Sequence, residues 1–219
     1  MRLTDYPDDA SRAAVRDAAR RQLGVPAETM VIGFVGRLVP EKGIDELLEA
    51  FETLAREQSP VLLLVVGGTL ASERNTAYWA GVMERIQRQP ELRDRLITVG
   101  FQKEVGPFLA SMDVLVLPSH REGFGMVVAE AAAYAVPSIA TRTRGGRESI
   151  VDGETGVLVD IRSRAGILAA LRSLLLDPQL RRTLGRRARE RAVERFDEAV
   201  VTRRILAVYS SLLKGADDR

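Results

Sequence analysis

Two cations and a carboxylate, Arg37, Lys42 and Glu122, stand beside glycines where an apolar run gives way to a helix-like one, and a second carboxylate, Glu130, follows within the helix-like run. The first stretch reads Gly33-Phe34-Val35-Gly36-Arg37-Leu38-Val39-Pro40-Glu41-Lys42-Gly43, with a helical pattern starting near Gly43. Cations beside a helix N-terminus form an anion site, because unpaired N–H groups and the helix dipole add to the side-chain charges. A diphosphate is the natural guest. The spacing matches neither G-x-x-x-x-G-K-[ST] nor G-x-G-x-x-G, so the P-loop and dinucleotide fingerprints are excluded. Taken alone, the stretch reads equally well as a solvated turn with surface charges.

The second stretch is Pro118-Ser119-His120-Arg121-Glu122-Gly123-Phe124-Gly125-Met126-Val127-Val128-Ala129-Glu130. Gly123 and Gly125 let a ligand approach the backbone, and the N–H groups of Phe124, Gly125 and Met126 should point out of the helix start. Glu122 precedes the helix and Glu130 sits about two turns in. Eight fully helical residues span about 12 Å, close to the reach from a hexose across a diphosphate to a ribose. Carboxylates accept strong charge-assisted hydrogen bonds from paired sugar hydroxyls. Glu130 lies among small apolar residues, where a charge is costly without partners. The bland alternative is a helix-surface glutamate that happens to border small residues.

A third stretch, Arg144-Gly145-Gly146-Arg147-Glu148-Ser149, again pairs glycines and suggests a close backbone approach. Asp152-Gly153-Glu154-Thr155-Gly156 reads as a structural turn.

These loops need a frame that presents them together. Apolar runs recur at Val31–Val35, Val61–Val66, Leu96–Val99, Val114–Leu117, Pro137–Ala140 and Gly156–Val159. They are continuously apolar rather than alternating, as strands buried on both faces should be. Helical patterns separate them; Ile44, Leu47, Leu48, Phe51 and Leu54 recur three and four residues apart along one such face. Strand and helix in alternation predict an α/β, Rossmann-like, doubly wound parallel sheet of about six strands, with ligands at the carboxyl ends near the switch point. A helix over 8–22 precedes the first strand. After Asp160 helices over 163–176, 178–194 and 197–213 form a C-terminal extension, broken at Asp177-Pro178. The division expected is 1–29 as helix and connection, and 30–219 as the binding domain.

Composition narrows the chemistry. Of 219 residues, 46% are hydrophobic and 28% charged, ordinary for a protein with a real core. With no cysteine and one histidine, His120, disulfides, Cys-ligated zinc, thiol nucleophiles and multi-histidine metal sites are excluded. His120 is expected as a satisfied or exposed loop residue rather than a catalytic one. Net charge is +2 and aromatics make up 5%, so the interleaved basic and stacking residues of a nucleic-acid binder are missing. The arginines of 181–195, beside Glu190 and Glu194, read as a solvated helix face. No apolar run reaches the roughly 20 residues of a membrane helix. The polar, acidic N-terminus is unlike a signal peptide, and the expected location is the cytoplasm.

In order, Gly36-Arg37-Leu38-Val39-Pro40-Glu41-Lys42-Gly43, Glu122-Gly123-Phe124-Gly125 with Glu130, Gly145-Gly146 with Glu148, and Asp152-Gly153-Glu154-Thr155-Gly156 resemble the C-terminal domain of family 4 (group 1) retaining glycosyltransferases, which have GT-B architecture. The likeness runs from about residue 30 to the C-terminus. It implies that Gly36, Arg37 and Lys42 hold the diphosphate of a nucleotide-sugar donor and that Glu122 contacts the sugar. Gly123, Phe124, Gly125 and Met126 would meet the sugar through backbone amides, Glu130 would bind the ribose, and Phe101 in Gly100-Phe101-Gln102 would lie beside the nucleobase. Glu122, Arg37 and Lys42 would be the residues nearest the chemistry. No metal is required, and a UDP-sugar is expected ahead of a GDP-sugar.

Full members of that family carry a further Rossmann domain that binds the acceptor, whereas residues 1–29 offer one helix. An acceptor-binding domain is therefore an expected partner, without which the chain should be inactive or weakly active. Polysaccharide assembly, with peripheral association at the inner membrane face, follows from the likeness alone. Two alternatives remain: a nucleotide-sugar epimerase of related fold, which the single histidine counts against, and a non-catalytic binding or subunit module.

Overall fold

The apolar runs become six parallel strands in a computed structural model of the chain: β1 (Met30–Val35), β2 (Val61–Val66), β3 (Leu96–Thr98), β4 (Val114–Leu117), β5 (Ser138–Thr141) and β6 (Gly156–Val159). The structure describes residues 6–8, 10–57, 60–69 and 73–217, with side chains through 213. The strand order is β3-β2-β1-β4-β5-β6. After β1 the chain moves outward through β2 and β3, then returns to the other side of β1 as β4. The switch point thus lies between β1 and β4, where Ile32 pairs with Val114 and Gly33 with Leu115.

The helices, in chain order, are α1 (Arg12–Leu23), α2 (Ile44–Arg56), α3 (Glu73–Gln87), α4 (Pro90–Arg93), α5 (Gly106–Ser111), α6 (Met126–Ala133), α7 (Arg144–Ser149), α8 (Arg164–Leu176), α9 (Pro178–Phe196) and α10 (Glu198–Asp217). They cover both faces of the sheet. On one face Ile32 and Phe34 of β1 join Ile44, Leu47, Leu48, Phe51 and Leu54 of α2 and Leu171 and Leu174 of α8. On the other, Val31 and Val35 meet Leu109 of α5 and Val128 and Ala131 of α6. Side chains alternate between faces, yet both faces are dry, so the runs read as unbroken apolar sequence.

Edges differ from the middle. β3 is shorter than its apolar run and only half-buried, because an edge strand has a neighbour on one side alone. α1 begins at Arg12 rather than residue 8, since Asp8 Oδ1 accepts from the Ser11 N–H at 2.8 Å and closes a turn ahead of the helix.

α1 is fastened below the sheet by buried charge. Arg20, 6% exposed, donates to the carbonyls of Ser111, Ala27 and Thr29 and to Asp113 Oδ2 at 2.5 Å. Arg16 Nη2 takes Asp113 Oδ1 at 2.6 Å, and the Val31 N–H takes Oδ2 at 2.7 Å. Each guanidinium nitrogen of the buried Arg20 finds an acceptor, as a buried network requires.

The arginines of α9 correct the expectation of a solvated face. Arg186 does pair with Glu190 on the surface at 2.6 Å. Arg181, however, donates to the last carbonyls of α8, Arg189 to those of Ala133 and Pro7, and Arg191 to that of Glu148. A long guanidinium reaches across to a neighbouring element's free carbonyls, which sequence spacing does not reveal.

Candidate functional site

Glycine lets two loops meet at the switch point. After β1, residues Pro40–Lys42 form a 3-10 turn and Gly43 takes φ 69° ahead of α2. A Cβ at Gly43 would lie 2.1 Å from the Pro118 carbonyl oxygen at the end of β4, so no larger residue fits. That contact brings the β1 loop against the β4 loop. Lys42 Nζ consequently bonds Glu122 Oε2 at 2.7 Å, with both side chains mostly buried at 17% and 15% exposure. Ser119 Oγ donates to the same oxygen at 3.2 Å.

The single histidine is part of this junction. His120 Nε2 lies 2.8 Å from Glu46 Oε1 in the first turn of α2, and its backbone N–H donates to the Glu41 carbonyl. It is satisfied, as expected.

Arg37 is exposed at the same edge, and its guanidinium makes no hydrogen bond or ion pair among the described residues. The two cations are therefore unequal: Lys42 is half-neutralised by Glu122, and Arg37 is available. An ammonium has three donors, so Lys42 keeps capacity for a second acceptor.

Behind Glu122 the β4 loop rests on α7. The Gly145 N–H donates to the Glu122 carbonyl at 3.2 Å, and a Cβ on Gly145 would stand 2.6 Å from the Gly123 carbonyl. The close approach expected at Gly145-Gly146 is thus one of protein backbone to protein backbone. No backbone acceptor among the described residues takes the N–H groups of Phe124, Gly125 or Met126. They open onto the start of α6, where the helix dipole is positive.

α6 starts at Met126, so Glu130 is its fifth residue, little more than one turn in. Residues 122–125 are loop, and the fully helical span of about 12 Å does not apply to the two glutamates. Glu130 is half-buried, and its carboxylate has no hydrogen bond or ion pair among the described residues. Burial pushes its carboxyl above the ordinary carboxylate value. A half-buried carboxylate with spare lone pairs can accept hydroxyl donors.

Phe101 stands further along the edge, 79% exposed, on the loop after β3. It reaches the others through the β2 loop: Gly67 N–H donates to the Gly100 carbonyl at 2.8 Å and Gly36 N–H to the Val66 carbonyl at 3.0 Å. The geometry thus joins Lys42, Glu122 and Ser119 directly. Arg37 stands on the same loop as Lys42, Glu130 one helical turn behind, and Phe101 two strands away from β1. Sequence reasoning missed Ser119 and the Gly67-Gly68 turn; paired glycines straight after a buried strand were the available signal for the second.

Among the described residues no helix is long and apolar enough to cross a membrane. Nor do three His, Asp or Glu side chains among them cluster as metal ligands.

Residues 15–191 match the family described as glycosyl transferases group 1. A capsular polysaccharide biosynthesis glycosyltransferase of Staphylococcus aureus, CapM, is 31% identical over 192 residues, covering 88% of this chain and 49% of that protein. Anabaena HepE, solved in complex with UDP-glucose, superimposes with a TM-score of 0.83 at 27% identity, over 96% of this chain and 56% of that one. The C-terminal domain of a group 1 family protein (LpcC) from Francisella tularensis gives 0.78 at 25% identity, over 90% of this chain and 99% of that one. The chain spans about half the length of the curated relatives it matches.

Proposed function

The chain belongs to the group 1 glycosyl transferases, and from that membership we propose that its switch-point loops bind a nucleotide diphosphate sugar for transfer with retention of configuration. The observation that carries the reading is the Lys42–Glu122 contact across 80 residues of sequence. It sets a cation for phosphate and a carboxylate for sugar hydroxyls side by side where open α/β sheets bind ligands.

In this reading the diphosphate lies between Arg37 and the spare donors of Lys42, near the starts of α2 and α6. Negative charge growing on the leaving diphosphate meets preorganised cations, an effect often worth several kcal/mol. Glu122 orients the sugar, aided by the amides of Phe124 to Met126. Glu130 accepts the ribose hydroxyls, and Phe101 offers an exposed ring toward the base. UDP is favoured over GDP, supported by the UDP-glucose complex of HepE. Residues 30–219 act as the donor-binding unit and residues 1–29 as the helix and connection.

Transfer itself needs an acceptor-binding domain, which the doubled length of the relatives supports. Closure of such a domain completes the site and excludes water. Calorimetric titration with UDP, GDP and UDP-glucose tests the donor reading: UDP-glucose should bind, and no heat from any of the three at millimolar concentration would sink it. Product anomers read by NMR, once an acceptor domain is supplied, test retention.

A further inference from the structure

Past Glu122 the loop has little of its own to fix its shape. Gly123 is exposed, Gly125 takes φ 76° at the start of α6, and neither supplies a side chain to pack. Phe124, between them, is held from outside. Its ring meets that of Phe196 edge-on, with centroids 5.0 Å apart and planes at 80°. Such an arrangement sets the electropositive rim of one ring against the negative face of the other.

Phe196 is well placed to act as an anchor. It is the last residue of α9 and packs against Ala132 of α6 and Ala188 and Ala192 of α9. Arg191 lies over its ring, the guanidinium carbon 5.4 Å from the centroid. The same guanidinium donates through Nη2 to the Glu148 carbonyl on α7 at 2.9 Å. α7 in turn receives the loop, through the bond from the Gly145 N–H to the Glu122 carbonyl. The contacts close on themselves: Phe124 to Phe196, Phe196 to Arg191, Arg191 to α7, and α7 to Glu122. Two separate segments, α9 and α7, thus hold the loop at the Phe124 ring and at the Glu122 backbone.

We infer that Phe196 is a positioning residue for the sugar-contacting stretch Glu122–Met126, acting through Phe124. The inference rests on the donor reading above. A loop flanked by glycines would otherwise lose conformational freedom on binding, and ordering it beforehand removes that cost. Its contacts with Phe124, Arg191 and the alanines of α6 and α9 include none of Arg37, Lys42 and Glu130, the residues read above as holding the diphosphate and nucleoside. Its loss should therefore tell on the sugar and spare the nucleotide.

The full chain and its variants are titrated by calorimetry with UDP and with UDP-glucose, alongside thermal melts. Phe196→Ala should weaken UDP-glucose by about two- to tenfold, the range expected for one edge-to-face pair, and change UDP by a smaller factor. Phe196→Tyr keeps the ring and should restore the wild-type ratio of the two affinities. The Phe124→Ala, Phe196→Ala double variant should lose no more than the worse single one, because both remove the same contact. Phe196→Leu replaces Phe196→Ala if the latter does not fold. Equal weakening of both ligands, or none, in a folded variant overturns the inference and leaves the donor reading standing. A wild-type chain that binds neither ligand overturns the donor reading and this inference with it.

Discussion

Lys42 Nζ and Glu122 Oε2 lie 2.7 Å apart across the switch point, each mostly shielded from water. The pair couples stability to the site, because either charge left alone would stay half-buried. Lys42→Met should cost about 1–3 kcal/mol, the penalty of an unsatisfied buried group. Lys42→Met with Glu122→Gln should recover part of it. Urea denaturation of the two singles and the double reads the coupling, and full additivity would count against it.

Glu130 should destabilise the fold at neutral pH. Burial raises its carboxyl above the ordinary value, so the folded state holds the proton more tightly than the unfolded one. The contribution of this group to stability is then fully present below its ordinary value and is lost as pH rises through the raised one. Glu130→Gln should be more stable than wild type at pH 7 and lack that decline. Melting profiles across pH 4 to 8 check it.

The same residue predicts a pH dependence of binding. If its carboxylate accepts ribose hydroxyls, UDP affinity falls as pH drops through the raised value, since protonation removes the stronger acceptor. Glu130→Gln should bind UDP more weakly at pH 7 with a flatter profile. Calorimetry at several pH values measures both.

Gly43 is required twice over, for φ 69° and for the Pro118 carbonyl at 2.1 Å from its would-be Cβ. Gly43→Ala should cost roughly 1–2 kcal/mol from the left-handed backbone alone, with the clash adding to it. The β1 and β4 loops should separate, weakening nucleotide binding more than an exposed alanine substitution such as Arg121→Ala. Paired denaturation and titration of the two variants distinguish them.

Asp113 holds Arg16, Arg20 and the Val31 amide at once. Asp113→Ala should cost about 3 kcal/mol or more, because Arg20 is left charged and buried. Hydrogen exchange in α1 should rise before that of β1, and a protein as stable as wild type would contradict the account.

What the sequence alone determined is the frame and the residue types of the site. Runs such as Val61–Val66 are apolar at every position because both faces of a parallel sheet are buried, and that signal is local. Gly36-Arg37…Lys42-Gly43 and Glu122…Glu130 were legible for the same reason: each needs only its own neighbours and the helix that follows. Tertiary structure decided which of these groups meet. Lys42 finds Glu122 only because strand order brings β4 beside β1 and Gly43 admits Pro118. Glu130 sits one turn into α6, where loop geometry rather than helical spacing sets its distance from Glu122. Phe124 and Phe196 meet across 72 residues, and the arginines of α9 reach carbonyls on α6, α7 and α8. Such contacts depend on helix ends converging in space, which no periodicity within one segment encodes.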